Sequence, residues 1–272
     1  SIEHYEGVNK FSKPIAPMVA IPTTYGTGSE ASNSAVVTDP KRQFKFGIVS
    51  RLCYPRLAVI EPRLMLRLPT NVGAATGADA LTHAIEAYVN LMAQPITDAL
   101  SLHAVRLISS NLRQAVSNDY NLEATFSMCI ASTMAGMAFS NANLGVCHSM
   151  AHPLGGHFNL HHGLANAIML PIVMEFCLGA CPQRFADIGE AMGEDVRGMP
   201  VMAAAECAVD AVRGLLRDIG IPANLREVGC SDAKLQALVD DALAMGLHKV
   251  NPRRTTRDDF VTLFRRGFDA QN

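Results

Sequence analysis

The sequence predicts a mainly α protein in which an all-helical domain follows a short, strand-rich segment. From about Thr70 onwards, apolar residues recur at i, i+3 and i+4 in long stretches rich in Ala, Leu and Met, which is the periodicity of amphipathic helices. Residues 1–68 instead contain short β-branched runs bounded by turn residues. We therefore divide the chain into a segment 1–68 and a helical domain 69–272.

Four runs in the first segment are predicted to be strands, namely 18–22, 34–39, 44–49 and 56–62. The short connection PKRQ between the second and third strands, residues 40–43, predicts a β-hairpin. The segment is too short to close a sheet with covering helices of its own. It therefore either pairs with the helical domain or forms the tail of a larger α/β domain.

The helical domain is predicted from the periodicity of its apolar residues and from the proline and glycine residues between its helices. Its helices span roughly 73–91, 96–116, 121–142, 164–178, 183–192, 201–219, 232–245 and 257–268. Pro222, Gly229 and Pro252 separate the later helices. Thr256 and Asp259 have the spacing of a capping box, which predicts the start of the last helix.

The bulk composition excludes several classes of function. The chain is 49% hydrophobic and 18% charged with a net charge of −2, so it lacks the basic surface of nucleic-acid-binding proteins. No apolar run has the roughly 20 residues of a membrane span, and Ser1–Lys10 does not have the pattern of a signal peptide. The seven scattered cysteines are typical of reduced thiols, which predicts a cytoplasmic protein.

Five of the nine histidines lie between positions 148 and 166. Crowded imidazoles repel one another when protonated and need partners when buried, so a divalent cation is a physical reason to gather them. Upstream, Asp79 and His83 are four residues apart on one face of a predicted helix, where a carboxylate and an imidazole can reach the same ion.

His148 and His152 have the same i, i+4 spacing, but Pro153 follows directly. A residue before proline avoids the helical conformation, so we expect the chain to kink or end a helix there. The two rings then need not face one ion. His162 lies at a predicted transition from loop to helix.

The candidate ligand set combines one carboxylate with imidazoles from three segments, which suits Fe(II) or Zn(II) and not calcium. Its members are Asp79, His83, His148 and His162. Spacing alone leaves ordinary hydrogen bonding of these side chains open. For His157 and His161 we expect ordinary hydrogen bonds and no metal.

The loop IPTTYGTGSEAS, residues 21–32, follows a predicted strand and is rich in glycine and hydroxyl groups. Its backbone N–H and side-chain O–H groups can contact a phosphate or a ribose. The loop is neither GxGxxG nor a P-loop, so a polar turn is the alternative. Lys45, on a later strand, is the nearest cation for an anionic ligand, and a solvated strand lysine is its alternative.

Five motifs follow one another along the chain: PTTYGTGSE at 22–30, GADALTHAIEAY at 77–88, AGMAFSNANLGVCHSMAHPLGG at 135–156, HHGLANAIMLP at 161–171 and NPR at 251–253. Together they resemble the iron-containing (group III) alcohol dehydrogenase family over nearly the full chain. The resemblance implies a dehydroquinate-synthase-like architecture, with a remnant of an α/β dinucleotide-binding domain before a helical metal-binding domain.

The resemblance also implies an activity and a set of site residues. It implies an NAD(P)-dependent alcohol dehydrogenase or aldehyde reductase for small primary alcohols or diols. The metal, Fe(II) or Zn(II), would be held by the four candidate ligands given above. His152 would line the site near the nicotinamide of NAD or NADP without being a main ligand, and Phe139 would border the substrate. The remaining cofactor residues would be Thr23, Thr24, Thr27, Ser29 and Lys45.

The family's pyrophosphate loop, G-G-G-S-x-x-D, precedes the position that matches Ser1 and is not found in this sequence. The resemblance therefore leads us to expect a truncated form with impaired cofactor binding. We expect a small alcohol or aldehyde as the partner, a homo-oligomer, and neither a nucleic acid nor a membrane.

Two other functions fit part of the pattern. The first is an inactive metal-binding helical module, or an oligomerisation partner for a complete subunit. The second is a metallohydrolase, because mixed Asp/His sites also activate water. A hydrolase needs a general base, for which Glu86 is the nearest candidate, although it could equally be a surface charge. Of these three functions, only that of a dehydrogenase includes a reduction of NAD that depends on an alcohol.

Overall fold

The computed structural model describes residues 1–42 and 44–269, and within this part it confirms the mainly α fold. The strands are confined to the first segment, and the rest is helical. The helices are α1 (Thr70–Val89), α2 (Pro95–Ser117), α3 (Leu122–Ala142), α4 (Val146–Phe158), α5 (His162–Cys177), α6 (Pro182–Met192), α7 (Val201–Asp218), α8 (Leu235–Met245) and α9 (Arg257–Asp269).

The strands form two small sheets. They are β1 (Gly7–Val8), β2 (Val19–Ala20), β3 (Ser34–Asp39), β4 (Phe44–Val49) and β5 (Leu57–Ala58). β3 and β4 pair antiparallel with Asp39 opposite Phe44, which confirms the predicted hairpin strands; Gln43 of the predicted turn lies outside the described residues. β1 extends this sheet by pairing parallel to β4, and β2 pairs parallel to β5.

The predicted strands 18–22 and 56–62 are shorter than expected, because only two residues of each are paired. A strand continues only where a neighbouring backbone pairs with it. β2 and β5 pair with each other over two residues each, so each strand is two residues long. Beyond β5 the chain turns into a single 3-10 turn at Pro62–Leu64.

Helix α4 was absent from the predicted helices, and the expectation of a helix end at Pro153 was wrong. α4 continues through Pro153 to Phe158 and ends at Asn159 in a left-handed conformation. The proline removes one backbone N–H, which costs the hydrogen bond to the Ser149 carbonyl. Burial of the helix from Val146 to Gly155, packed against α5 and α8, outweighs that loss.

Other helix boundaries differ by a few residues from those predicted from the sequence. α5 begins at His162, and α8 begins at Leu235 because Asp232–Lys234 forms a 3-10 turn. The predicted capping box of α9 is confirmed, because the Thr256 N–H donates to Asp259 Oδ2 at 2.8 Å.

Helix α1 is the centre of the fold and packs against α2, α3 and α5. Close approach of α5 depends on Gly163. A Cβ at this position would lie 2.3 Å from the Ala75 carbonyl oxygen and 3.1 Å from Asp79 Cβ. Only glycine therefore lets the first turn of α5 pack directly on the middle of α1.

Two helical stretches, Leu122–Ala142 and His162–Ala180, are long and apolar enough to cross a membrane by length and composition alone. Within the protein, 50% and 72% of their most apolar windows are buried. Core helices of soluble proteins have the same character, so these two helices are weak grounds for a membrane span.

Candidate metal centre

Helix α1 carries Asp79 and His83 into the interior of the protein. All residues from Gly73 to Val89 are buried, so neighbours cover every face of this part of the helix. The i, i+4 spacing puts both side chains on one face. Asp79 is only 3% exposed, and a buried carboxylate needs hydrogen bonds or a positive partner to offset its lost hydration.

His148 and His152 lie on α4, and His162 is the first residue of α5. Because α4 does not stop at Pro153, the two α4 histidines stay near one face. The ring centroid of His162 is 5.3 Å from that of His148 and 4.9 Å from that of His152. Side chains from three helices therefore meet in one place.

The four predicted ligands each place one ligand atom within 4.8 Å of the others: Asp79, His83, His148 and His162. Nε2 of His148 and Nε2 of His162 are each 3.8 Å from Asp79 Oδ1. Four ligands bound at about 2.0–2.2 Å from one ion are separated by roughly 3–4.4 Å, so the arrangement fits a cation. One carboxylate oxygen with three imidazoles suits Fe(II) or Zn(II).

Burial sets the protonation states that a cation requires. It lowers the pKa of His162 and lowers the pKa of His148 and His152 further still, so these imidazoles are neutral at neutral pH. Burial alone would raise the pKa of Asp79, but the imidazoles around it and the Asn166 amide outweigh burial and hold its pKa below the ordinary value. One negative charge and several neutral lone pairs therefore face one point.

Two of these histidines donate a hydrogen bond from Nδ1 to a neighbouring oxygen, which fixes the orientation of the ring. His148 Nδ1 donates to Glu86 Oε2 at 2.6 Å. His83 Nδ1 lies 3.2 Å from the Gly26 carbonyl oxygen and must donate to it, because a carbonyl only accepts. In both rings the other nitrogen, Nε2, keeps its lone pair for a metal.

Glu86 was named from the sequence only as a candidate base of a hydrolase or a surface charge, and its contact with His148 was missed. It is 4% exposed, so the suggestion of a surface charge was wrong. Its Oε1 accepts the Cys147 N–H at 2.6 Å, and burial raises its pKa to about 7. It is not among the residues lining the cavity described below, which does not favour it as the base of a hydrolase.

Asn166 was also missed. It lies one turn after His162 on α5 and is completely buried. Its Nδ2 lies 2.7 Å from Asp79 Oδ1, 3.0 Å from His148 Nε2 and 3.2 Å from His162 Nε2. The i, i+4 spacing of His162 and Asn166 was the signal in the sequence that could have revealed it.

A cavity of about 960 Å³ opens onto the four candidate ligands, and both parts of the chain line it. Four of the predicted cofactor residues are in its lining: Thr27, Ser29, Lys45 and His152. Thr23 and Thr24 are not among its lining residues.

The loop that carries Thr27 and Ser29 packs against the helical body. The Gly28 N–H donates to Ser132 Oγ at 3.1 Å. Gly28 has a positive φ of 56°, and a Cβ there would lie 2.6 Å from Gly136 Cα on α3. The strand-rich segment is therefore joined to the helical body directly beside the candidate metal site.

The remaining predicted residues border the same cavity or lie elsewhere. The Phe139 ring is 4.7 Å from that of His83 and lines the cavity. His152 Nδ1 has no hydrogen-bond partner among residues 1–42 and 44–269. His157 bonds Asp241 at 2.8 Å, and His161 is exposed just before α5, in keeping with their expected ordinary roles.

Two family models match the chain. Residues 73–268 match the C-terminal model of the Fe-containing alcohol dehydrogenase family, and residues 1–62 match the model of iron-containing alcohol dehydrogenase. The chain is 46% identical to 1,3-propanediol dehydrogenase from Citrobacter freundii over 97% of its own length and 68% of that protein. It is 41% identical to lactaldehyde reductase from Escherichia coli, again over 97% of this chain and 68% of that protein.

Solved structures show the same similarity. The fold matches the crystal structure of a 1,3-propanediol oxidoreductase with a TM-score of 0.94 and 44% identity, covering 97% of this chain and 69% of that one. It matches an alcohol dehydrogenase from Oenococcus oeni with a TM-score of 0.95 and 40% identity, covering 98% and 70%.

Proposed function

The chain belongs to the iron-containing alcohol dehydrogenase family, and on that premise we propose that it interconverts small primary alcohols or diols with their aldehydes, using NAD(P) and a divalent metal. Relatives named for 1,3-propanediol, lactaldehyde and methanol support this substrate class. The observation that carries the proposal is the convergence of Asp79 and three imidazoles on one point of a cavity large enough for a substrate and part of a dinucleotide.

When bound, Fe(II) or Zn(II) supplies a Lewis acid for the alcohol oxygen, and the nicotinamide supplies the hydride acceptor. Asp79 provides a single negative charge, which attracts a divalent cation without neutralising it. His152, whose Nδ1 has no partner in the described part of the chain and whose ring is 4.9 Å from that of His162, takes up or passes on the proton that leaves the hydroxyl.

Other residues bind and orient the reactants. Phe139 and His83 form a tilted ring pair at the cavity wall, which excludes water beside the reacting carbon. The hydroxyls of Thr27 and Ser29 and the ammonium of Lys45 line the same cavity and bind the dinucleotide, whose phosphates are anionic.

The assay for this function uses protein that has been stripped with a chelator and then reloaded anaerobically with Fe(II), or with Zn(II). Oxidation of 1,3-propanediol and reduction of lactaldehyde are followed by the absorbance of NADH and NADPH. We expect turnover that requires both the metal and the alcohol. The matched variants are His162→Ala, which should be inactive, and His103→Ala on the exposed surface of α2, which should match the parent protein.

Two outcomes would contradict the proposal. Metal binding without any alcohol-dependent reduction of nicotinamide would indicate the inactive helical module. Hydrolysis of esters or amides without nicotinamide would indicate the metallohydrolase.

The four candidate ligands all lie between Asp79 and His162, in the helical body. We therefore expect the 272-residue chain to bind metal well and dinucleotide weakly. Isothermal titration with NAD and with NADP tests this, and it also identifies the preferred cofactor. Micromolar binding of either dinucleotide would contradict the expected impairment. We further expect a homo-oligomer in the cytoplasm, which light scattering and fractionation would check.

A further inference from the structure

The side-chain amide of Asn166 lies against the candidate metal site. Its side chain is completely buried, and its Nδ2 lies within 3.2 Å of ligand atoms from three other residues. These atoms belong to Asp79, His148 and His162, which come from three different helices. The amide nitrogen is therefore a common neighbour of most of the ligand set.

The atoms around this nitrogen are acceptors. Asp79 Oδ1 is a carboxylate oxygen, and His148 Nε2 carries a lone pair because Nδ1 of the same ring donates to Glu86. An amide N–H₂ group has two hydrogens, whereas three neighbouring atoms are within reach. The amide thus lies against a group of atoms with more lone pairs than it can satisfy, which is the character of a cation site.

The other end of the amide shows what orients it. Asn166 Oδ1 is buried and has no hydrogen-bond partner among residues 1–42 and 44–269. A buried carbonyl without a donor is unfavourable, so the contacts of Nδ2 with the ligand atoms must fix the orientation. Its backbone is held separately, because Cys147 Sγ donates to the Asn166 carbonyl oxygen at 3.4 Å.

We propose that Asn166 is a positioning residue of the metal site, which holds the Asp79 carboxylate and the His148 and His162 lone pairs on one point before a cation binds and keeps its hydrogen bond to Asp79 afterwards. This inference rests on the metal part of the proposed function.

The number of lone pairs on each ligand atom predicts how the loss of Asn166 changes metal affinity. A carboxylate oxygen has more than one lone pair, so Asp79 Oδ1 can accept from Asn166 and bind a metal together. An imidazole Nε2 has a single lone pair and gives up its contact with Asn166 when the metal binds. The contact that survives is the shortest of the three, at 2.7 Å, and it is assisted by the carboxylate charge. Loss of Asn166 should therefore weaken metal binding.

The experiment measures metal affinity and not activity. Purified chain, Asn166→Leu and Asn166→Ala are stripped with a chelator and titrated with Co(II), with the visible d–d absorption followed as a report on ligand geometry. Zn(II) affinity is then measured by competition with a chromophoric chelator. The control is Asn111→Leu, which removes a half-buried amide on α2 that donates to the Leu107 carbonyl of its own helix.

We expect both Asn166 variants to bind Co(II) and Zn(II) about 10- to 100-fold more weakly, with an altered d–d spectrum. The Asn111 control should stay within twofold of the parent. Affinity within twofold of the parent in a folded Asn166 variant, or tighter binding, would overturn the inference and leave the proposed function standing. A parent protein that binds neither ion would overturn both.

A measurement on the parent protein covers the case in which neither variant folds. In ¹⁵N-labelled protein, the side-chain amide of a single-residue-labelled or assigned Asn166 should shift when Zn(II) is added and remain protected from exchange with solvent. An Asn166 amide signal that is unchanged by Zn(II), or that exchanges freely, would contradict the inference.

Discussion

The helical body and the strand-rich segment build the two sides of one cavity in different ways. In the body, the candidate ligands lie on helices that are mostly buried, and α1 is covered on every face from Gly73 to Val89. In the segment, β1, β2 and β5 are each two residues long, and apolar side chains remain open to solvent. Val8, Val19 and Leu57 are 64%, 57% and 54% exposed.

This difference indicates that the metal-binding half of the site is already formed before any ligand binds. Ligands on packed helices cannot move without disturbing the core, so the metal side is held rigidly. The cofactor side is carried by short strands and a loop anchored at a few points, such as the contact of Gly28 with Ser132. Metal binding should therefore be a property of the body, and dinucleotide binding a property of the contact between the two parts.

Hydrogen exchange should give the largest contrast. Amides in the middle of α1 and α5 are buried in the core, whereas β1, β2 and β5 have few buried neighbours. We expect protection to differ by about a thousandfold or more between these groups, because local opening needs far less free energy than global unfolding. Mass spectrometry after deuterium labelling measures it. Equal protection in both parts would show that the segment is as stable as the body.

Substitution at the two sides of the cavity should separate the two binding functions. His162→Ala removes a candidate ligand and should lower Zn(II) affinity more than about 100-fold. Lys45→Ala, which changes the segment's side of the cavity, should leave metal affinity unchanged and weaken NAD(P) binding instead. Metal analysis and dinucleotide titration on both variants check this. Full metal occupancy in the first would remove His162 from the ligand set.

The hydrogen bond between Glu86 and His148 should have a smaller effect on the metal side. Glu86→Ala removes the acceptor that fixes the ring and should weaken metal binding about 10- to 100-fold. Glu86→Gln keeps an oxygen in the same place and should lose less. Competition with a chelator ranks the three proteins, and an Ala variant that binds metal as the parent does would contradict this role.

Glycine substitutions should distinguish the packing of the two parts. Gly163→Ala forces a Cβ within 2.3 Å of the Ala75 carbonyl oxygen and should destabilise the protein by about 1–3 kcal/mol. Gly47→Ala in β4 meets its nearest atom, on Val49, at 3.9 Å and should change stability by less than about 0.5 kcal/mol. Urea unfolding measures both. Equal stabilities would show that α5 can move away from α1 at little cost.

A surface ion pair of the body should have the smallest effect. Burial raises the pKa of Glu175, but hydrogen bonds from Arg266 and Arg213 outweigh it and hold the pKa below its ordinary value. A lowered pKa stabilises the fold above the unfolded value, near 4.3, and this contribution is lost as pH falls through the folded pKa.

Glu175→Gln should therefore lower the melting temperature by about 1–3 °C at pH 7 and by less near pH 3. Glu206→Gln, on the exposed surface of α7, is the control. If the difference in melting temperature between Glu175→Gln and the parent grows as pH falls, the pKa of Glu175 is not lowered in the folded protein.

The sequence predicted most of the helices and the pairing of β3 with β4, because periodicity reports which face of an element is buried. It failed where local preference and tertiary packing disagree. Pro153 by itself predicts a helix end, yet contacts with α5 and α8 keep α4 continuous. β2 and β5 have strand-like composition, but only two residues of each pair with the backbone of the other strand.

For the site, the sequence by itself determined the residue types and their spacing, and hence the candidate ligands Asp79, His83, His148 and His162. Only the tertiary structure decided that they meet, because helices distant in sequence must pack before their side chains share a point. It alone showed that Glu86 contacts His148 and that Asn166 contacts three of the candidate ligands. The spacing of Glu86 from His83 and of Asn166 from His162 places each on the same helix face as a candidate ligand. Their roles arise from the hydrogen-bond partners that other helices bring to them, which no sequence spacing shows.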